Sequence, residues 1–169
     1  SSTFWVVFLL IPLFFVIQKD VPLPFKIMGV TGVLSFACVY AWAVSTMTIW
    51  SDLPEGAGVL DQLRPATSRL VLLAVITIAS APGLNWWYTC SYLPYFCAII
   101  LFATTLRTGL IISGCLTLHT CLGCVLLAPG AGVARAAMGF SMSSVIVAFS
   151  RIGAESAVRR QEEGRVLAA

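Results

Sequence analysis

Apolar residues are grouped along the chain into long stretches, which short polar segments separate. A helix of about 20 apolar residues is long enough to cross the hydrocarbon core of a bilayer. We therefore expect an all-α fold, a polytopic membrane helical bundle. The pattern predicts six spans: Thr3–Gln18, Phe25–Trp50, Leu70 to about Ala81, about Tyr92–Leu106, Leu110–Ala128 and about Ala136–Ser150.

The segments between these stretches carry residues typical of turns. Lys19–Pro24 follows the first stretch, Pro82 and Gly83 end the third, and Pro129–Gly132 leads into the sixth. The longest polar segment, Ser51–Arg69, is predicted to be a loop.

The number of spans depends on the region around Arg107. One helix over Leu93–Ala128 would be far too long and would place Arg107 near its middle, so a turn at Arg107 is expected. The third stretch covers only about 20 Å of a hydrocarbon layer that is roughly 30 Å thick. Five spans with one re-entrant segment are the alternative to six.

Composition places the chain among integral membrane proteins. Of its 169 residues, 59% are hydrophobic and 10% are charged, whereas roughly a quarter of the residues of a soluble domain are charged. With so few charges, a soluble fold of this composition would have no polar coat.

The basic residues predict how the chain is oriented, because Lys and Arg are retained on the cytoplasmic side of a membrane. With six spans and a cytoplasmic C-terminus, the N-terminus is also cytoplasmic, and five spans would move the N-terminus outside. In the six-span topology seven basic residues lie inside, namely Arg64, Arg69, Arg107, Arg151, Arg159, Arg160 and Arg165, and three lie outside, namely Lys19, Lys26 and Arg135.

The last residues differ from the rest of the chain. Residues 1–150 are predicted to be a transmembrane domain, and 151–169 a charged juxtamembrane helix that continues the sixth span. Glu155 and Arg159 are four residues apart and can form an ion pair on one helix face. No convincing heptad seam is present, so the tail is either a helix that changes partners easily or a solvated helix that precedes a coiled coil.

The six cysteines and His119 raise the question of a metal site. On one helix Cys115 and His119 share a face, but Cys121 and Cys124 lie on roughly the opposite face. One ion cannot reach all four, and a c-type haem needs the order Cys-x-x-Cys-His. We therefore expect no metal, no disulfide framework and no cofactor in this chain, and we expect the cysteines to pack as small residues between helices.

Ionisable groups are nearly absent from the predicted spans. All seven acidic residues lie in loops or in the tail, so His119 has no carboxylate partner within a span. Transporters and pumps usually carry ionisable residues at membrane depth, and no catalytic or phosphate-binding motif is present. A small transport or channel subunit with a cytoplasmic tail remains the alternative function, and a membrane enzyme is a third.

Three residues within the spans are candidates for signalling. Pro12 interrupts the first span and frees a backbone carbonyl. Ser141 and Ser144 are three residues apart in the sixth span, close to the small pair Gly139 and Ser143. Such residues allow close helix contact, either in a dimer of sensors or within one subunit.

The ending Arg159-Arg-Gln-Glu-Glu-Gly-Arg-Val-Leu-Ala-Ala169 resembles the helix that precedes the phosphoaccepting histidine box in DesK-like sensor histidine kinases. The first span, with Phe8-Leu-Leu-Ile-Pro-Leu-Phe-Phe-Val16, is similar to theirs as well. The box itself is absent, so we expect the chain to be the input part of a longer protein.

This resemblance implies a two-component sensor in the bacterial plasma membrane, with a cytoplasmic C-terminus. Its partners would be membrane lipids, a second copy of the chain, and a response regulator reached through the kinase. ATP and Mg would bind in the missing kinase part, and no nucleic acid would bind directly. The residues expected to take part in signalling are Pro12, Ser141, Ser144, Gly153, Arg159 and Arg160.

Overall fold

A computed structural model describes residues 10–18, 20, 22–47, 49–53, 56–80, 92–127 and 130–169, without the side chains of 11, 12, 15, 16, 52, 124, 127, 131–137 and 140. The predicted all-α fold is confirmed over these residues. The helices are α1 (Leu10–Gln18), α2 (Leu23–Thr46), a 3₁₀ turn (Trp50–Asp52), α3 (Val59–Ser80), α4 (Leu93–Ala103), α5 (Leu106–Leu127) and α6 (Ala131–Ala168).

Two of the described helices, α2 and α3, are long and apolar enough to cross a membrane by length and composition. The apolar helix α4 has 11 residues, which corresponds to about 16 Å and is too short to cross the hydrocarbon core.

Close packing of α2 against α3 depends on a glycine. A Cβ at Gly32 would collide with the Cβ of Ser80 and would lie 3.1 Å from its Cα. The helix α2 has Pro24 in its first turn. Proline lacks a backbone N–H, but an N–H in the first turn has no acceptor within the helix, so its absence there costs nothing.

The helix α3 begins at Val59, whereas the sequence predicts a loop up to Arg69. Its charged residues suggested a loop, yet Gln62, Ala66 and Leu73 recur on one face at helical spacing and are buried. Asp61 lies in the first turn, where a negative charge stabilises the helix dipole. The predicted loop is therefore wrong over its second half.

The centre of the fold is α4, which packs against α3, α5 and α6. Most of its side chains are buried, and aromatic rings from α2 meet those at its N-terminal end. The ring centroids of Phe36 and Tyr92 are 4.2 Å apart, and those of Tyr40 and Tyr95 are 4.9 Å apart and nearly perpendicular. Such ring geometries are favourable, so this cluster fixes α4 against α2.

A sharp turn at Thr104 and Thr105 separates α4 from α5. The prediction of two helices rather than one is therefore correct, but the turn precedes Arg107, which lies in the first turn of α5. A Cβ at Gly109 would lie 2.8 Å from Oγ1 of Thr104 and 3.2 Å from Cα of Leu101. Glycine at this position allows the first turns of α5 to lie against the end of α4.

The helix α6 has 38 residues and continues from the predicted sixth span into the charged tail. Gly153 and Gly164 both lie inside it without ending it. From residue 160 onwards its residues are exposed, so the tail extends away from the rest of the bundle.

Candidate functional site: the Arg151 junction

The most unusual side chain of the described structure is Arg151, which lies on α6 immediately after the predicted sixth span. It is 0% exposed and is the largest fully buried side chain. A buried charge is costly unless other groups replace its water. The groups that do so come from three parts of the fold, and we call this arrangement the Arg151 junction.

The first of these groups are backbone carbonyls at the end of α4. Nε of Arg151 donates a hydrogen bond to the carbonyl oxygen of Leu101 at 2.9 Å, and Nη2 donates to that of Thr104 at 3.4 Å. The last carbonyls of a helix have no partner within it and carry the negative end of its dipole. Arg151 therefore caps α4 from a different helix.

The second contribution is an aromatic ring from the 3₁₀ turn. Cζ of Arg151 lies 3.7 Å from the ring centroid of Trp50, well within the range of a cation–π interaction. The ring of Trp50 also contacts Phe102 of α4, with centroids 5.7 Å apart. One guanidinium thus connects α6, α4 and the turn that follows α2.

The third contribution is the carboxylate of Glu155, one turn further along α6. Its Oε2 accepts a hydrogen bond from Nη1 of Arg151 at 2.8 Å, and its Oε1 accepts one from Nη2 of Arg159 at 2.7 Å. The predicted pair of Glu155 with Arg159 is therefore present. Burial lowers the pKa of the Arg151 guanidinium, while the hydrogen bond and the charge of Glu155 oppose this shift. Arginine remains charged in proteins, so the junction holds a cation.

The turn between α4 and α5 is held from its other side by Gln62 of α3, which is buried. Its Oε1 accepts hydrogen bonds from the backbone N of Thr105 at 3.1 Å and from the Thr105 hydroxyl at 3.3 Å. Its Nε2 donates to the carbonyl of Ala57 at 2.8 Å. Gln62 and Arg151 together fix this turn between α3 and α6.

A second arginine, Arg69, caps the C-terminal end of α2 in a similar way. Nη2 of Arg69 donates to the carbonyl of Thr46 at 3.0 Å, and Nη1 donates to that of Pro65 at 2.8 Å. Its Cζ lies 5.2 Å from the ring centroid of Trp42. Basic residues of the predicted inner side thus cap helix ends at both α2 and α4.

A groove of about 350 Å³ lies between α5 and α6, and we call it the α5–α6 groove. The predicted signalling residues Ser141 and Ser144 both line it, together with Ser113, Gly114, Thr117 and Cys121. Oγ of Ser141 lies 2.6 Å from Sγ of Cys121, and Ser144 is buried. Within one chain, Ser141 contacts α5, and Ser144 contacts the thiol of Cys97 on α4.

The structure brings some predicted signalling residues together and leaves others apart. Arg159 reaches the Arg151 junction through Glu155. Gly153 and Arg160 are exposed on α6, and a Cβ at Gly153 would meet no atom within 4 Å. Pro12 lies in α1, and its side chain is outside the described residues.

No group of three or more His, Cys, Asp or Glu side chains within the described ranges is placed to hold a metal ion. Cys38, Cys97 and Cys115 are free thiols. Cys115 and His119 are both exposed on α5, one turn apart.

The chain matches no protein-family model, no curated protein and no solved structure.

Sequence reasoning missed Arg151, Trp50 and Gln62 as functional positions. One signal was available, since Arg151 is the first charged residue after an apolar stretch and Glu155 follows it at i+4. For Trp50 and Gln62 no local pattern indicated a role. Their partners are 101 and 43 residues away in sequence, and only the folded chain brings these groups together.

Proposed function

We propose that this chain is the membrane input domain of a two-component sensor histidine kinase, and that α6 passes the signal into the cytoplasm. In this proposal the bundle is inserted as a multi-pass domain in a bacterial plasma membrane, with the charged end of α6 inside the cell. The Arg151 junction is the point at which a change in the bundle reaches α6.

The observation that carries this proposal is the continuity of α6 across the Arg151 junction. A helix of 38 residues is about 57 Å long, whereas the hydrocarbon core is roughly 30 Å thick. The same helix that fits a span therefore continues well into water, and it contacts α4 through a buried charge. Movement of α4 or its following turn is coupled to α6 because breaking that contact exposes an unpaired charge or unpaired carbonyls.

Contacts within the fold support the assignment of these segments to the same side of the membrane. Residues assigned to the inner side include Arg64, Arg69, Arg107 and Arg151. In the fold, Gln62 contacts Thr105, while Arg151 contacts Trp50 and Thr104. The segments of the predicted inner side therefore meet at one end of the bundle, as a consistent topology requires.

The kinase class itself comes from the resemblance of the tail to DesK-like sensor histidine kinases. It implies a homodimer whose cytoplasmic part binds ATP and Mg, phosphorylates its own histidine and transfers the phosphate to a response regulator. Lipids surround the bundle in this arrangement.

Insertions after Gly153 test whether α6 transmits the signal. Each added residue rotates the following helix by about 100° relative to the bundle. We expect one-, two- and three-residue insertions of alanine to change autophosphorylation of the natural full-length protein in membrane vesicles. A seven-residue insertion restores nearly the original face, so it is expected to restore most of the original output.

Equal output from all four insertions would contradict transmission through α6. Absence of phosphohistidine in the natural protein, with ATP and Mg supplied, would contradict the kinase class. Solute flux through proteoliposomes containing the isolated chain would instead support the alternative, a small transport or channel subunit.

A further inference from the structure

The outward face of α5 carries a regular seam of exposed residues. Ile111, Cys115, Leu118, Leu122 and Val125 follow one another at spacings of four, three, four and three residues. The four aliphatic side chains are 46–62% exposed, and Cys115 is exposed as well. This alternation is the pattern by which one helix packs along a parallel helix.

A polar side chain lies on one edge of this seam. His119 is exposed on α5, 13 residues from the start of the helix at Leu106, which corresponds to about 20 Å along its axis. In a membrane-inserted bundle this depth is within the hydrocarbon core. Polar residues at that depth face protein or a water-filled cavity rather than lipid, so this face of α5 is not expected to face lipid alone.

The other edge of the seam offers polar groups. Gly114 is exposed there, and a Cβ added to it would meet no atom within 4 Å. It borders the α5–α6 groove, which the side chains of Ser113 and Thr117 also line. The hydroxyl of Ser113 is buried beside the thiol of Cys97 on α4.

We propose that α5 is the membrane interface between two copies of this chain, and that His119 of each copy enters the α5–α6 groove of the other beside Gly114. Two copies inserted with the same orientation are related by a two-fold axis along the membrane normal, which keeps their α5 helices parallel. Each helix of a parallel pair has one residue on either edge of the seam. A residue on one edge lies beside the partner's residue that is five positions later in the sequence and on the other edge. Gly114 and His119 are five residues apart.

The chemistry of the two surfaces is complementary. A neutral imidazole has one hydrogen-bond donor and one acceptor, and a serine hydroxyl both donates and accepts. The small Gly114 leaves room for the partner's ring, as small residues do at membrane helix interfaces. This proposal rests on the membrane insertion that is part of the proposed function. It identifies the surface through which the proposed dimer forms.

Cross-linking at Cys115 tests this interface. Helix axes about 8–10 Å apart leave facing Cα atoms roughly 4–6 Å apart, within the range of a disulfide. The full chain is prepared in membranes with Cys115 as its sole cysteine and is oxidised with copper-phenanthroline. We expect a disulfide-linked dimer. The matched control retains only Cys38, which is exposed on α2, and is expected to remain mostly monomeric on gels.

Variants at both edges of the seam distinguish a specific dimer from cross-linking by random collision of two chains. His119→Leu removes two symmetric polar contacts and is expected to lower the association constant roughly sevenfold, while His119→Gln retains a donor and an acceptor and is expected to restore it. Gly114→Leu fills the space for the partner's ring and is expected to abolish the Cys115 cross-link. Gly123→Leu, at a glycine of the same helix that also has open space but lies off the seam, is expected to leave it intact.

Cross-linking at Cys38 equal to that at Cys115, or association unaffected by His119→Leu and Gly114→Leu, would overturn the interface. This assay needs no kinase, so its result is distinguishable from failure of the proposed function. A Cys115 dimer with no phosphohistidine in the natural protein would retain the interface and reject the kinase. The reverse result would reject only the interface.

Discussion

At Arg151, three different kinds of partner replace water around one guanidinium: helix-end carbonyls, an aromatic ring and a carboxylate. Each alone is a modest interaction. Together they allow a cation to be 0% exposed, because its Nε, Nη1 and Nη2 groups each donate to an acceptor and the ring of Trp50 lies against it.

Replacing Arg151 by Gln is expected to destabilise the chain strongly. The substitution leaves the carbonyls of Leu101 and Thr104 with weaker partners and deprives Glu155 of its buried partner. Glu155 keeps its pair with Arg159, so the main cost is the weakened pairing of the buried carbonyls, about 1–3 kcal/mol for each acceptor left unsatisfied. Thermal unfolding of the purified chain in detergent measures this effect.

The matched control is Arg159→Gln, which removes the other partner of the same carboxylate. The Arg159 side chain is 71% exposed, and an exposed pair contributes about 0.2–1 kcal/mol. A shift for Arg159→Gln as large as that for Arg151→Gln would show that the burial of Arg151 is not what gives the junction its stability.

Individual residues of the site were only partly predictable from the sequence. The pair of Glu155 and Arg159 follows from spacing on one helix, and the structure contains it. The role of Arg151 depends on carbonyls about 50 residues earlier in the chain, which no local pattern indicates. Sequence periodicity identifies partners within one helix, whereas contacts between helices depend on how those helices pack.

The same distinction applies at the scale of elements. The apolar stretches predicted the existence and order of α1 to α6, and α1 ends at Gln18 as expected. The start of α3 was wrong because charges at Asp61, Arg64 and Arg69 were taken as signs of a loop. A helix that leaves an apolar environment keeps its hydrogen bonds in water, so polarity alone does not show where it begins.

Replacing a glycine by alanine is expected to have opposite effects on stability in α2 and in α6. Gly32→Ala places a Cβ against Ser80 and is expected to destabilise the α2–α3 contact by about 1–3 kcal/mol, as overpacking does. Gly164→Ala meets no atom within 4 Å and is expected to stabilise α6 by about 1 kcal/mol through helix propensity.

Thermal unfolding measures the first substitution, and hydrogen exchange of the amides near Gly164 measures the second. An unchanged unfolding temperature for Gly32→Ala would contradict close contact between α2 and α3. Faster exchange in Gly164→Ala would show that the end of α6 is not helical in the isolated chain.

At the scale of the whole molecule, the proposed orientation assigns opposite sides of the membrane to the two ends of α6. In a chain whose native cysteines are replaced, Arg160→Cys is expected to react with a membrane-impermeant maleimide only after the cells are opened. Gly130→Cys is expected to react in intact cells. Arg64→Cys serves as a second inner control, because Arg64 is exposed on α3.

Labelling of Gly130→Cys and Arg160→Cys from the same side would contradict passage of α6 through the membrane. Labelling of Arg64→Cys in intact cells would place the α2–α3 connection outside, and the topology would need to be reversed.

The position of Arg151 along α6 also has a mechanical consequence. Twenty residues of the helix precede it and 17 follow it, counted from Ala131 to Ala168, so the two arms are about 30 Å and 26 Å long. A rigid rod held near its midpoint behaves as a lever with nearly equal arms. A tilt of about 5° around Arg151 would move each end by roughly 2–3 Å in opposite directions, so a small displacement at one end of α6 would appear at the other almost undiminished.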